Sequence, residues 1–100
     1  MRIDQDELNA IVTTVARFDS ECEIYLFGSR LDDSKRGGDI DILIESEVIS
    51  PSMLAQIEDD IFRLIDEQKI DFVLTRKSAP SAFARLVLSK GAQKLCRMKN

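Results

Sequence analysis

YLFGSRLDDSKRGGDIDILI, running from Tyr25 to Ile44, decides how the chain is read. It divides into an apolar strand, a Gly-Ser turn, a polar loop and a second apolar strand that carries two aspartates. Side chains on a strand alternate between faces, so Asp39 and Asp41 leave one face of a sheet together while Ile40, Ile42 and Ile44 leave the other. Two carboxylates held this close repel each other, and a divalent cation is the usual compensation. Gly28-Ser29 ends the first strand, where a backbone turn can open toward a phosphate. The apolar density of the second strand predicts a central place in the sheet.

The remaining elements follow outward from this stretch. On the N-terminal side, Asp4 and Glu7 have the spacing of a capping box, and Leu8, Ile11, Val12, Val15 and Ala16 form the apolar stripe of a helix. Asp19-Ser20-Glu21 ends that helix, and Glu23 to Phe27 is the first strand. Ser29 through Asp33 is expected to make a short helical turn, followed by a basic, glycine-paired loop, Lys35-Arg36-Gly37-Gly38. Downstream, Ser50-Pro51 opens a helix with Ser50 as its cap and proline at its first position. Its apolar positions are Leu54, Ile57, Ile61, Leu64 and Ile65. Ile70 to Leu74 is a third strand, bearing Asp71. A last helix follows Pro80, with Phe83, Leu86 and Val87 facing inward and Gly91 at its C-terminal end. Ala92 to Arg97 is a candidate edge strand. The order is α-β-(short α)-β-α-β-α, with helices on one face of the sheet and the acids on the other.

Composition bounds the function. One hundred residues are read as a single domain, 1–100, with one core. No apolar run approaches the roughly 20 residues of a membrane span, and the first residues lack the apolar stretch of a signal peptide, so a cytoplasmic location is expected. Cys22 and Cys96 read as free thiols, and a chain without histidine is a poor candidate for a zinc site. The net charge of −4 speaks against direct binding to nucleic acid. Every acidic residue lies at or before Asp71, and beyond it come Arg76, Lys77, Arg85, Lys90, Lys94, Arg97 and Lys99. That basic tail is either a solvated face or a contact surface for phosphate or a partner.

Gly28-Ser29, Asp39-Ile40-Asp41 and Asp71 within Lys69-Ile70-Asp71-Phe72-Val73 occur in this order, each on or at the end of an apolar strand. In this the chain resembles the nucleotidyltransferase superfamily of DNA polymerase β, and above all its minimal bacterial members. The resemblance runs through nearly the whole chain. It implies an α/β (α+β) palm core with a small mixed sheet. It also implies catalysis by Asp39, Asp41 and Asp71, holding two Mg²⁺ ions, with Gly28, Ser29 and Arg30 on the triphosphate of ATP. The activity implied is transfer of a nucleoside monophosphate, AMP in the first instance, to a protein hydroxyl. The implied partner is a HEPN-domain protein, in a hetero-oligomer where the minimal nucleotidyltransferase is antitoxin to the HEPN toxin. One departure is Gly38, where many relatives carry serine before the first aspartate; it removes no metal ligand. Two other readings stand beside this one: a non-catalytic module that neutralises a partner by occlusion, and a nucleotidyltransferase acting on a small hydroxylated molecule.

Overall fold

The computed structural model describes residues 5–28, 40–66 and 69–95. Asp4, Ser29, Arg30, the Lys35 to Gly38 loop, Asp39, Cys96, Arg97 and Lys99, all singled out in the sequence, lie outside the described residues. The elements in order are α1 (Gln5–Phe18), β1 (Glu23–Phe27), β2 (Ile40–Glu45), a 3₁₀ turn (Pro51–Met53) leading into α2 (Leu54–Ile61), β3 (Ile70–Thr75), α3 (Ala82–Ser89) and β4 (Gln93–Leu95). They form an α+β domain around a mixed four-stranded sheet of order β3-β2-β1-β4. β1 is antiparallel to both β2 and β4, whereas β3 runs parallel to β2. A parallel pair needs a crossover, which α2 supplies. β2 is central, as its apolar density predicts, and every residue in it except Asp41 is buried.

The main core lies between one sheet face and the first two helices. Ala10, Ile11, Val12 and Val15 of α1 and Ile57 and Ile61 of α2 pack on Ile24, Leu26, Ile40, Ile42, Ile44 and Ile70. These are the even-numbered strand positions, so the alternation of the pleat selects them. Asp6 and Glu7 in the first turn of α1 and Arg17 in its last complement the helix dipole.

Three details differ from the sequence reading. α2 ends at Ile61, so Leu64 falls on the turn beyond it and is 56% exposed, while Ile65 still packs on the core. Ser50 is extended and makes no capping hydrogen bond; its hydroxyl meets that of Ser52 instead, although Pro51 does open the 3₁₀ turn. α3, in contrast to α1 and α2, lies over the opposite face of the sheet. Its Ala84 and Val87 pack with Leu43, Tyr25, Phe27 and Val73, while Phe83 and Leu86, expected inside, are each 50% exposed. The reason is visible in the register. The odd-numbered positions place Tyr25, Leu43 and Val73 side by side in the middle of that face, and such an apolar row needs cover. Ser81, unremarked in the sequence, caps α3 by accepting a hydrogen bond from the Ala84 amide.

A buried serine ties the end of β2 to the end of α1. The Ser46 hydroxyl donates to the Asp19 carboxylate and accepts from the amides of Val48 and Ile49. Ser46 is 2% exposed, so its loss would leave both amides short of a partner. Ser46→Ala is expected to cost about 1–3 kcal/mol, read as a lower urea midpoint at unchanged slope.

Candidate functional site

Asp41 and Asp71 are Cα partners on the parallel strands β2 and β3, and Phe27 is the partner of Asp41 on β1. The three therefore form one row across the sheet, on the face opposite α1 and α2. Neighbouring strands lie about 4.8 Å apart, which puts the two carboxylates within reach of one shared ligand. Both residues are part-buried. α3 covers the middle of this face as far as Phe27.

Gly28 follows Phe27 directly, and its φ of +79° lies in the left-handed region. A Cβ built on it would run into the Asp41 carboxylate, and would stand 3.0 Å from Cγ. Two separate constraints thus call for glycine here: the turn, and the close approach of the aspartate. The structure brings together Gly28, Asp41 and Asp71 of the residues picked from the sequence. Asp39, Ser29 and Arg30 are the ones it leaves undescribed. Among the described residues, no group of three or more His, Cys, Asp or Glu side chains is arranged to hold a metal ion. The donor set that the described residues do offer, Asp41 with Asp71, consists of carboxylate oxygens, which suits a hard divalent cation such as Mg²⁺ better than zinc.

Beside this row lies a groove of about 370 Å³ lined by Phe27, Gly28, Phe83, Leu86, Val87, Lys90 and Ala92. The Phe27 and Phe83 rings meet edge to face, centroids 6.1 Å apart at 72°. Sequence reasoning missed this groove. The available signal was the spacing of Phe83, Leu86 and Lys90 along α3, a stripe distinct from that of Ala84 and Val87.

At the opposite end of the same face, Glu23 and Glu45 are Cα partners. Glu23 accepts hydrogen bonds from the Tyr25 hydroxyl (2.9 Å) and from Lys77 (3.3 Å), and Lys94 lies 3.6 Å from it. The Tyr25 bond, followed by that from Lys77, holds the Glu23 carboxyl below its ordinary range. Burial, then the nearby Glu23 charge, pushes Glu45 above it. Burial and the Glu23 hydrogen bond likewise push the Tyr25 phenol up to about 12. Lys94 of the basic tail thus finds an acid on β1 of its own chain.

The two glutamates respond to pH in opposite senses. Glu23 stabilises the fold above the ordinary carboxylate range, and this is lost as pH falls through its depressed value. Glu45 keeps its proton to higher pH when folded, so its ionisation costs stability as pH rises through that range. Glu45→Gln is therefore expected to raise the thermal midpoint at pH 7. The gain should shrink on acidification, when the native residue is protonated in both states. Melts at a series of pH values read this directly, and a gain independent of pH would contradict the assignment.

Cys22 is a free thiol, and burial pushes its pKa up to about 11, which disfavours the thiolate form. No helix among the described residues is long and apolar enough to cross a membrane. The chain matches no protein-family model, and no curated protein matches it.

Proposed function

We infer that this chain is a metal-dependent nucleotidyltransferase of the minimal, polymerase β-like kind, transferring a nucleoside monophosphate from ATP to a protein hydroxyl. The observation that carries this reading is the row of Asp41 and Asp71 on one sheet face, with the Asp41 carboxylate against a left-handed Gly28. The close approach of that carboxylate to a turn that only glycine fits supports a site where a phosphate meets the acidic row.

In the reaction, the attacking hydroxyl oxygen bonds to the α-phosphorus, the bond from that phosphorus to the bridging oxygen breaks, and pyrophosphate departs. Asp41 and Asp71, with Asp39 as third ligand by the resemblance, would hold Mg²⁺, which when bound would supply charge neutralisation on the triphosphate and a lowered pKa for the attacking hydroxyl. Asp71, on the flank of the row, accepts the hydroxyl proton. The Gly28 turn admits a phosphate close to the backbone, with the Ser29 hydroxyl and Arg30 as its donors. By the same resemblance, the acceptor is a HEPN-domain protein and the pair acts as antitoxin and toxin in the cytoplasm.

Purified protein incubated with labelled ATP and Mg²⁺, with and without the HEPN protein of a neighbouring gene, tests this. Label on the partner is the expected result. Tight complex formation without label would replace the enzyme with an occluding module. Label on an added aminoglycoside, and on neither protein, would replace the acceptor.

A further inference from the structure

The groove between the end of β1 and α3 has no part in the chemistry above, yet it opens onto the same place. Gly28 belongs to both: it lines the groove at one end and lies against the Asp41 carboxylate at the other. Phe27 likewise belongs to the acidic row by register and to the groove by its ring. The groove walls are apolar, namely Phe27, Phe83, Leu86 and Val87, and Lys90 supplies a cation beside them.

A volume of about 370 Å³ lies at the small end of the range for small-molecule sites, roughly 300–1,000 Å³. It is room for a ring system and its immediate substituent, not for a helix. Phe83 and Leu86 stand half exposed at its edge, an exposure that a flat apolar occupant would relieve. Among the described residues, the other large apolar side chains this exposed are Val48 and Leu64, and neither lines the groove. Among the described residues, the apolar side chains this exposed beside Gly28 are those of the groove, which suits a small occupant.

The geometry points to the groove as the nucleobase site. The base lies against Phe27 and Phe83, Leu86 closes over its edge, and the phosphates run past Gly28 toward Asp41 and Asp71 with Lys90 alongside. Aromatic faces and apolar walls hold any flat heterocycle, and the acidic row with its cation holds the phosphate end. This inference rests on the nucleotide reading above, and it assigns the part of the ligand for which the sequence supplied no residues.

The test separates base from phosphate. Titration calorimetry with Mg²⁺ compares ATP with inorganic tripolyphosphate, for the parent and for Phe83→Ala. The parent should bind ATP at least about tenfold more tightly than tripolyphosphate, and Phe83→Ala should remove most of that difference, in keeping with loss of a base–aromatic contact. Tripolyphosphate affinity should not change. Leu86→Ala, also at a half-exposed position, gives a second reading should Phe83→Ala fold poorly, and the melting temperatures of both variants check this. Equal affinity of the parent for ATP and tripolyphosphate, or full ATP affinity in both variants, would overturn the base site and leave the nucleotide reading in place. If neither compound binds, the nucleotide reading falls and the base site falls with it.

Discussion

Asp41→Asn and Asp71→Asn are each expected to lower nucleotide transfer by at least about a thousandfold. Metal neutralisation of phosphoryl charge supplies several kcal/mol to the transition state, and a thousandfold corresponds to about 4 kcal/mol. Asparagine keeps the shape of aspartate and removes the charge. The fold should not suffer. Both residues are only part-buried, both sit on the face away from the main core, and they are side by side in register. Removing one of two adjacent like charges relieves repulsion in the metal-free protein. For Asp71→Asn stability should therefore stay within about 0.5 kcal/mol of the parent or rise, the ordinary range for a substitution outside the core. Mg²⁺ should raise the melting temperature of the parent and lose that effect in the variants, because a ligand stabilises only the state that binds it. If Asp71→Asn melts far below the parent without metal, that carboxylate is structural and the enzymatic reading is wrong.

The strands and the central position of β2 were legible because each rests on a pattern that physics repeats locally. β1 occupies Glu23–Phe27 as its apolar run predicts, and Ile40, Ile42 and Ile44 bury as their alternation requires. The pairing of Asp41 with Asp71 was legible only through the order of motifs, since strand register depends on non-local contacts that one sequence does not display. The side taken by α3 was not legible. Phe83, Leu86 and Val87 read as a single inward stripe, but Ala84, too small to draw notice, is the residue with no exposure. Ala84 lets the helix come close to Leu43, and this turns Phe83 and Leu86 outward along the groove. Likewise, Ser50 looked like the better cap because Pro51 follows it, whereas the serine that caps is Ser81, after Pro80. Proline marks a helix start to within a residue or two, and only the local backbone decides which hydroxyl meets a free amide.

Gly28→Ala should uncouple activity from stability. Its stability cost comes mainly from φ: a left-handed angle of +79° costs a residue with a Cβ about 1–2 kcal/mol. The collision adds little to that, since the group struck is the end of the Asp41 side chain, which can swing aside without disturbing the core. Swinging aside is what the chemistry cannot tolerate. On the proposed reading, a carboxylate displaced by an ångström or more no longer sits where a cation and phosphate would need it, and such a displacement can cost on the order of a hundredfold. Gly28→Ala is thus expected to unfold at a modestly lower urea concentration while losing transfer by a hundredfold or more. A cycle with Asp41→Asn isolates the cause. If the loss runs through the carboxylate, adding Gly28→Ala to Asp41→Asn should reduce activity little further, while the stability costs still add. Full transfer in Gly28→Ala would mean that the contact between Gly28 and Asp41 has no bearing on catalysis. Strictly multiplicative activity losses in the double variant would place the role of Gly28 in admitting the phosphate rather than in positioning Asp41.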